Sequence, residues 1–293
     1  MATLRQIRKK IKATKSIQKT TNVMQMISAV RFQKAQMQLT SARPYALKIQ
    51  HLLSDMMPEG ERTYPHPFLV GGLPTAGDSL SKEGLLIITS DKGLCGLYNT
   101  NIVKKAFEYI KMKNIHNLEI FVIGKKGLDY FKRNGILISR EYFNIFKNFS
   151  SIKTEIIADE IIKLFLENKL EKFSIIYAEY KSLFYQPTAI KQLLPIESTE
   201  RAQNKVKFDY IYEPSKEIIT DKLIKRYFNS EVFKILLEAY TSEVASRRNS
   251  MENANKNSTE IIDELSIVMN NLRQQRITTE LTEIVSASEQ GGE

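Results

Sequence analysis

Residues 215–290 read SKEIITDKLIKRYFNSEVFKILLEAYTSEVASRRNSMENANKNSTEIIDELSIVMNNLRQQRITTELTEIVSASEQ, a run of 76 residues without glycine or proline. The chain contains twelve glycines and eight prolines, all of them outside this stretch. Both residue types interrupt helices, proline by removing a donor and glycine by its backbone entropy. The stretch therefore predicts a single helix, which would span about 110 Å at a rise of ~1.5 Å per residue.

Apolar residues recur within this stretch at the spacing of a coiled coil. Eleven positions follow one another at alternating steps of three and four residues, and nine of the eleven are apolar or aromatic. We call these positions the predicted C-terminal seam. They are Leu237, Tyr240, Val244, Arg247, Met251, Ala254, Ser258, Ile261, Leu265, Val268 and Leu272. A helix with such a seam needs a second helix to cover it.

Residues 3–57 are predicted to form that second helix, antiparallel to the first. The gap of six residues in the middle of its apolar stripe predicts a locally irregular supercoil. Pro44 predicts a kink rather than an end, because apolar residues continue beyond it at helical spacing. The stripe consists of Leu4, Ile7, Ile11, Ile17, Met24 and Ile27.

The residues between the two helices predict a linker and an α/β domain. Residues 58–77 contain four prolines and four glycines. Residues 78–213 then alternate short apolar runs with helical ones, which predicts a Rossmann-like α/β domain whose sheet is partly parallel with antiparallel strands at the end. The four predicted segments are the N-terminal helix (1–57), the linker (58–77), the α/β domain (78–213) and the C-terminal helix (214–293). The strands predicted within the domain are 85–89, 118–123, 136–138, 173–180, 188–194 and 206–212.

Positive charge is concentrated at the N-terminus of a chain whose net charge is +10. Residues 1–54 contain eleven Lys or Arg, and the first acidic residue is Asp55. This pattern suits a solvated helix face, a nucleic acid, an anionic membrane, an acidic protein surface or a transit peptide. No apolar run approaches the ~18 residues of a membrane span, and no secretory h-region follows the basic start. The single Cys95 excludes an internal disulfide and fits a reducing compartment.

The α/β domain contains no pattern that predicts a catalytic, cofactor or metal site. The turn at residues 90–99, SDKGLCGLYN, lacks the GxGxxG spacing, which favours a tight strand-to-helix turn over nucleotide binding. Cys95 is interpreted as a packed side chain without an activating His or Asn near it in sequence. The four residues 124–127, GKKG, match the loop of RNA-binding KH domains only weakly and also suit a plain turn. The three histidines have no metal-ligand spacing.

Three blocks of sequence nevertheless resemble one family, the gamma subunits of F-type ATP synthases, and together they cover essentially the whole chain. The first block comprises IRKKI at residues 7–11, TTNVMQMI at 20–27 and SARPY at 41–45. The second is TSDKGLCGLYN at residues 89–99. The third comprises RQ at residues 273–274, IT at 277–278 and ELTEIV at 280–285.

The resemblance implies a rotor shaft without catalytic activity or cofactors. In this family the paired terminal helices stand inside a ring of alternating alpha and beta subunits, and the α/β domain lies near the epsilon subunit and the membrane c-ring. Torque then passes from the proton-driven c-ring to the catalytic beta subunits. The resemblance places beta-subunit contacts at Met24, Arg273, Gln274, Thr278 and Glu280, and c-ring or epsilon contacts at Tyr210, Tyr212 and Glu213.

The resemblance also implies a location and leaves an alternative function. Because the match begins within the first residues, we expect a bacterial protein, peripheral on the cytoplasmic face of the inner membrane. The single cysteine excludes the thiol switch of chloroplast members, and Gln275 and Arg276 replace small residues found in many relatives. The alternative function is that of a basic coiled-coil protein that binds nucleic acid. A rotor shaft, in contrast, is expected to have no nucleic-acid partner. A nucleotide-dependent enzyme ranks last, since it lacks a phosphate loop.

Overall fold

A computed structural model describes residues 3–56, 68, 82–113, 115–147, 149–167, 170–196, 212–213 and 215–290. The predicted linker, apart from Phe68, and the predicted strand 206–212, apart from Tyr212, lie outside these residues. No helix among the described residues is long and apolar enough to cross a membrane. The elements in chain order are α1 (Leu4–Met56), β1 (Lys82–Ile88), α2 (Tyr98–Lys113), β2 (Leu118–Ile123), α3 (Lys125–Arg133), β3 (Arg140–Tyr142), α4 (Ser151–Leu166), β4 (Leu170–Ala178), β5 (Thr188–Leu194) and α5 (Lys216–Gln290).

The five strands form one mixed sheet in the order β3-β2-β1-β4-β5. The first four strands are parallel, and β5 runs antiparallel to β4 at the edge. Leu85 at the centre of β1 lies opposite Ile120 of β2 and Ser174 of β4. Long terminal helices with a partly parallel sheet between them confirm the predicted fold class.

The predicted third strand, 136–138, is wrong by a few residues. The strand in this part of the chain is β3, Arg140–Tyr142. Residues 136–138 lead into it, and Ile136 and Ile138 pack beneath the sheet with α2 and α3. Their apolar side chains therefore reflect burial in a connection, which a single apolar run does not distinguish from a strand.

Both faces of the central strands are buried, as expected for a parallel sheet covered by helices. On one face, alternate residues such as Leu86, Phe121 and Phe173 pack against α4, the start of α5 and the end of α1. On the other face, Leu85, Ile87, Ile120, Val122 and Ile176 pack against α2 and α3. The near-continuous apolar composition of β1, LLII, follows from this double coverage.

The two glycines of the GKKG turn at residues 124–127 pack closely against Thr89, the residue that follows β1. Gly124 has φ +96°, and a Cβ there would lie 2.3 Å from the Thr89 carbonyl oxygen. A Cβ on Gly127 would lie 2.5 Å from Thr89 Oγ1, which accepts a hydrogen bond from the Gly127 N–H at 3.0 Å. The two glycines are thus explained by packing inside the domain, as the plain-turn interpretation expects.

Gly124→Ala is expected to destabilise the domain strongly. The backbone conformation alone costs about 1–3 kcal/mol for a residue with a side chain, and the backbone contact with Thr89 adds to it. Gly135 is the matched control, because it also has a positive φ (+69°) but no atom within 4 Å of its added Cβ. Denaturant unfolding followed by circular dichroism should show a clearly larger loss for Gly124→Ala than for Gly135→Ala. Equal losses would contradict the packing argument.

The chain divides into two compact units, residues 30–247 and residues 1–29 with 248–293. In the larger unit, α1 and α5 pack through Phe32, Leu39, Leu237 and Val244. Here Arg43 pairs with Glu238 at 3.2 Å, whereas Arg31 lies near Tyr240 and Glu243. The two helices therefore run antiparallel in this unit, as predicted.

The smaller unit corrects the predicted stripe on α1. Ile17 and Ile27 are 57% and 48% exposed, and a stripe of mostly half-buried residues continues instead at steps of three and four residues through polar side chains. One of them, Gln18, donates from Nε2 to Thr259 Oγ1 at 2.8 Å. The predicted irregularity is wrong because hydrogen-bonding residues occupy positions at which only apolar ones were sought. The stripe consists of Leu4, Ile7, Ile11, Thr14, Gln18, Thr21, Gln25 and Ser28.

The predicted C-terminal seam also shifts within the smaller unit. Ile261 and Val268 are each 45% exposed, and their neighbours Ile262 and Met269 are half-buried instead. Met251, Ala254, Ser258 and Ile262 are buried or half-buried, and they follow one another at steps of three, four and four residues. These steps sum to 11 residues, which is the spacing of an 11-residue repeat rather than a 7-residue one. A locally reduced left-handed supercoil follows from this spacing.

Candidate functional site

The residues predicted to contact a beta subunit lie on the two long helices. Met24 is half-buried on α1, and Arg273, Gln274, Thr278 and Glu280 are exposed on α5. Thr278 Oγ1 donates to the Gln274 carbonyl oxygen at 3.0 Å, which brings these two together within one turn. The exposed set is therefore available for contact with another chain.

Arg276, one of the two departures from the family pattern, contacts one of these residues. Its guanidinium Nε lies 2.7 Å from Glu280 Oε1, four residues further along α5. Both side chains are more than half exposed, so the pair contributes little to stability.

The residues predicted to contact the c-ring or epsilon subunit precede α5. Tyr212 is half-buried, and the Lys216 ammonium lies 6.0 Å from the centroid of its ring. Glu213 is exposed, and Tyr210 lies outside the described residues. Tyr212 is not part of a strand, which differs from the prediction for that residue.

Sequence reasoning missed the exposed apolar residues on both long helices. These side chains are at least 45% exposed and recur at helical spacing along one face of each helix, and a contiguous exposed apolar face marks a contact surface. The available signal was their position, since they fall off the predicted seams. On α1 they include Val23 (50%), Met26 (58%), Val30 (69%) and Met37 (66%), and on α5 Ile277 (47%), Leu281 (58%), Ile284 (65%) and Val285 (55%).

A second missed feature is a clamp between the 89–99 loop and α5, with Arg247 at its centre. The Arg247 side chain is almost fully buried and its Nη1 lies 2.7 Å from Glu243 Oε1. It donates from Nη2 to the Lys92 carbonyl oxygen at 2.8 Å and from Nε to the Gly93 carbonyl oxygen at 3.2 Å. The planar guanidinium fork suits this threefold contact, which a lysine ammonium cannot reproduce.

Two further hydrogen bonds complete the clamp. Ser246 Oγ donates to the Cys95 carbonyl oxygen at 2.7 Å, and Tyr98 Oη donates to the Ala239 carbonyl oxygen at 3.2 Å. Burial raises the pKa of Glu243, and the nearby Arg247 only partly offsets this. The signal in the sequence was a charged residue at a seam position, Arg247, where apolar residues dominate.

Cys95 belongs to a small polar cluster inside the clamp loop. Asn99, one helical turn further on, donates from Nδ2 to Cys95 Sγ at 3.2 Å and to Ser90 Oγ at 2.8 Å. An asparagine does therefore lie near the thiol, contrary to the sequence interpretation. Burial nevertheless raises the pKa of the Cys95 thiol. A buried thiol with a raised pKa is unreactive, and the packed-side-chain interpretation stands.

Two more buried carboxylates on α5 tie it to the α/β domain and to α1. Glu231 pairs with Lys191 of β5 and with Lys234 at 2.8 Å. Burial alone raises the pKa of Glu231, but the two lysines outweigh it and lower the pKa overall. Glu238 contacts Arg43 at 3.2 Å and accepts a hydrogen bond from Tyr177 Oη at 3.4 Å. Here burial prevails, and the pKa of Glu238 is raised.

Glu231→Gln and Glu238→Gln are expected to change the pH dependence of stability in opposite ways. The ion pairs of Glu231 stabilise the fold above the usual carboxyl pKa, and this contribution is lost as the pH falls through its lowered pKa. Glu231→Gln should therefore cost about 1–3 kcal/mol near neutral pH, a value discounted because Lys191 is partly exposed. The contribution of Glu238 is complete below the usual carboxyl pKa and is lost as the pH rises through its raised pKa.

Urea unfolding of the full chain between pH 4 and pH 8 measures both effects. The stability difference between wild type and Glu231→Gln should grow with pH, and that between wild type and Glu238→Gln should shrink. Parallel pH profiles for the two variants would contradict the assigned pKa directions.

Residues 3–290 match the family model described as ATP synthase. The chain is 35% identical over 291 residues to the ATP synthase gamma chain of Geobacter metallireducens, with 99% of both chains covered. It is 34% identical over 294 residues to that of Prosthecochloris aestuarii, covering 99% of this chain and 98% of the relative.

Solved structures share the fold. A chain of the Euglena gracilis mitochondrial ATP synthase, from a structure of OSCP, F1 and c-ring, superposes with a TM-score of 0.67 at 20% identity, covering 98% of this chain and 93% of that one. A chain of the Tetrahymena thermophila central stalk and c-ring gives 0.59 at 23% identity, covering 80% and 99%. The sequence match over almost the whole length, with relatives above 30% identity, establishes that the chain belongs to the ATP synthase gamma chain family.

Proposed function

We propose that the chain is the rotary central-stalk subunit of an F-type ATP synthase and performs no catalysis itself. It transmits torque between a proton-driven c-ring and the catalytic beta subunits. The observation that carries this proposal is the match to ATP synthase gamma chains over almost the whole length. The clamp supports it, because Arg247, Ser246 and Tyr98 join the α/β domain to α5 by four hydrogen bonds. Because these hydrogen bonds are directional, and those of Arg247 are charge-assisted, rotation of the α/β domain is transmitted to α5.

The proposed partners are the alpha and beta subunits of the catalytic ring, the epsilon subunit and the c-ring. Coupling then arises because each conformation of a beta subunit is favoured by a different face of the turning helices. The exposed apolar residues on α1 and α5 support such faces. The proposed segments are residues 1–57 and 214–293 for the coiled coil, 58–77 for a linker and 78–213 for the domain near the c-ring.

We place the beta-subunit contacts at Met24, Arg273, Gln274, Thr278 and Glu280. Arg273 supplies a planar fork of donors suited to a carboxylate or a loop carbonyl, and its exposure on α5 supports the assignment. Tyr210, Tyr212 and Glu213 are assigned to the c-ring or epsilon subunit, and the exposure of Glu213 shortly before α5 supports the assignment.

We propose that the complex lies on the cytoplasmic face of a bacterial inner membrane, with this chain bound peripherally. The relatives reported above, from Geobacter metallireducens and Prosthecochloris aestuarii, support a bacterial origin. The basic N-terminal part of α1 then faces protein rather than nucleic acid.

Purification of the tagged chain from native membranes tests the proposed function. We expect two larger nucleotide-binding proteins to co-purify, together with ATPase activity that the isolated chain lacks. Nucleic acid in the eluate without ATPase activity would instead support the alternative of a basic nucleic-acid-binding protein.

Arg273→Ala is expected to lower the ATPase rate of the assembled complex by about tenfold, because a charge-assisted hydrogen bond contributes about 1.5–3 kcal/mol. The melting temperature should stay unchanged, since the side chain is exposed. Lys256→Ala is the matched control, an exposed cation on the same helix that pairs with Glu252 at 3.1 Å. Equal rates for the two variants would overturn the assignment of Arg273.

A further inference from the structure

An open groove of about 520 Å³ lies between α2 and α3 on the α/β domain. Its floor is apolar and consists of Val103, Phe107 and Tyr130, the last 40% exposed. Phe107 stacks on Phe131 at a centroid distance of 5.7 Å and meets Tyr130 edge-on at 5.6 Å. These ring contacts hold the floor in one conformation, so that a ligand would bind without first having to order it.

Positive charge lines the rim of this groove. Lys104 and Lys111 on α2 and Lys126 on α3 are exposed, and none of the three forms an ion pair with any residue that the structure describes. The one carboxylate at the rim, Glu108, is already paired with Lys105 at 3.5 Å. The lining therefore carries three lysines and one carboxylate, a net charge of +2 around an apolar floor.

The spacing of these lysines matches a helix. Lys104 and Lys111 are seven residues apart on one face of α2, which places them about 10.5 Å apart along the axis. Lys126 stands on the opposite wall. A helix lying between α2 and α3 would meet this rim with carboxylates that are also two turns apart.

We propose that this groove binds an acidic amphipathic helix of another subunit. Apolar residues of that helix contact Phe107 and Tyr130, and two carboxylates seven residues apart pair with Lys104 and Lys111. The positive rim requires a partner with negative charge. The apolar floor between two helices suits the apolar face of a helix.

A nucleic acid fits the same lysines less well. Each strand of B-form DNA carries one phosphate per about 3.4 Å of helix axis, a denser row of charge than lysines about 10.5 Å apart would match. An apolar floor between the lysines also has no role in contact with phosphates. Each exposed ion pair contributes about 0–1 kcal/mol, so the groove supplies a secondary contact within a larger assembly.

Photocross-linking in the assembled complex tests the inference. We would place p-benzoylphenylalanine at Thr100, which lines the groove, in the full chain expressed in its native membrane. Irradiation should give an adduct with a net acidic segment that contains two carboxylates seven residues apart. The same group at the neighbouring exposed Asn101, which does not line the groove, is the positional control and should give much less of this adduct.

Charge reversal then separates specific from incidental contact. Lys104→Glu with Lys111→Glu should lower the adduct yield by about tenfold or more. Lys125→Glu, the adjacent exposed cation outside the groove, should leave the yield unchanged. No adduct, an adduct with nucleic acid or with a basic or uncharged segment, or equal yields in both variants would each overturn the inference. It rests on the proposed function only for the presence of other subunits, and intact ATPase activity without the adduct would refute the groove alone.

Discussion

Arg247→Ala is expected to lower the free energy of unfolding by about 3 kcal/mol and to uncouple ATP hydrolysis from proton pumping. The change leaves the Glu243 carboxylate buried without its 2.7 Å partner, and removing one member of a buried pair costs about 3–5 kcal/mol. The low end applies because Glu243, whose pKa is already raised by burial, can take up a proton instead. Denaturant unfolding and ATP-driven proton uptake by inverted membrane vesicles measure the two effects.

A double variant distinguishes the stabilising role of Arg247 from its role in the clamp. Arg247→Met with Glu243→Leu replaces the buried ion pair by apolar groups, which is often neutral or stabilising. It still lacks the hydrogen bonds to the Lys92 and Gly93 carbonyl oxygens. We expect stability to recover while the ratio of protons pumped to ATP hydrolysed stays low. Recovery of both would show that the bonds to the 89–99 loop do not transmit torque.

Leu265→Pro is expected to abolish coupled ATP synthesis, whereas truncation after Thr282 should be tolerated. Leu265 is half-buried within α5, and an internal proline removes a hydrogen bond and clashes with the preceding turn, at a cost of about 3 kcal/mol or more. Residues 283–286, directly after Thr282, are exposed, so little packing is lost with them. Synthesis rates in energised vesicles provide the measurement.

The control for this comparison is Leu265→Ala, which keeps the helix backbone intact. It should retain most of the synthesis rate, because Leu265 is only half-buried. Equal tolerance of the proline and the truncation would argue against a helix that bears load along its length.

The same buried network assigns a structural role to the 89–99 loop. The TSDKGLCGLYN loop carries backbone carbonyl groups to α5, and its side chains Ser90, Cys95 and Asn99 bond to one another. Polar groups that satisfy each other in a buried loop stabilise one loop conformation. The loop that most resembles a nucleotide-binding turn thus holds the long helix.

The sequence by itself determined the two long helices, the α/β domain between them and the family. Absence of glycine and proline over residues 215–290 predicts a helix because helix interruption is a local property of those residues. Four of the strands were predicted within a few residues, since apolar runs in a doubly covered sheet are nearly continuous. The family followed from ordered blocks of sequence, which need no geometry.

Only the tertiary structure decided which faces of the helices are buried and how α5 is held. The stripe on α1 passes through the half-buried Gln18, which donates a hydrogen bond to Thr259, 241 residues away in the chain. Arg247 finds its carbonyl partners 154 and 155 residues earlier. Buried polar groups need hydrogen-bond partners, and helical periodicity does not specify a partner that is distant in sequence. For the same reason the groove between α2 and α3 becomes visible only when the two helices lie side by side.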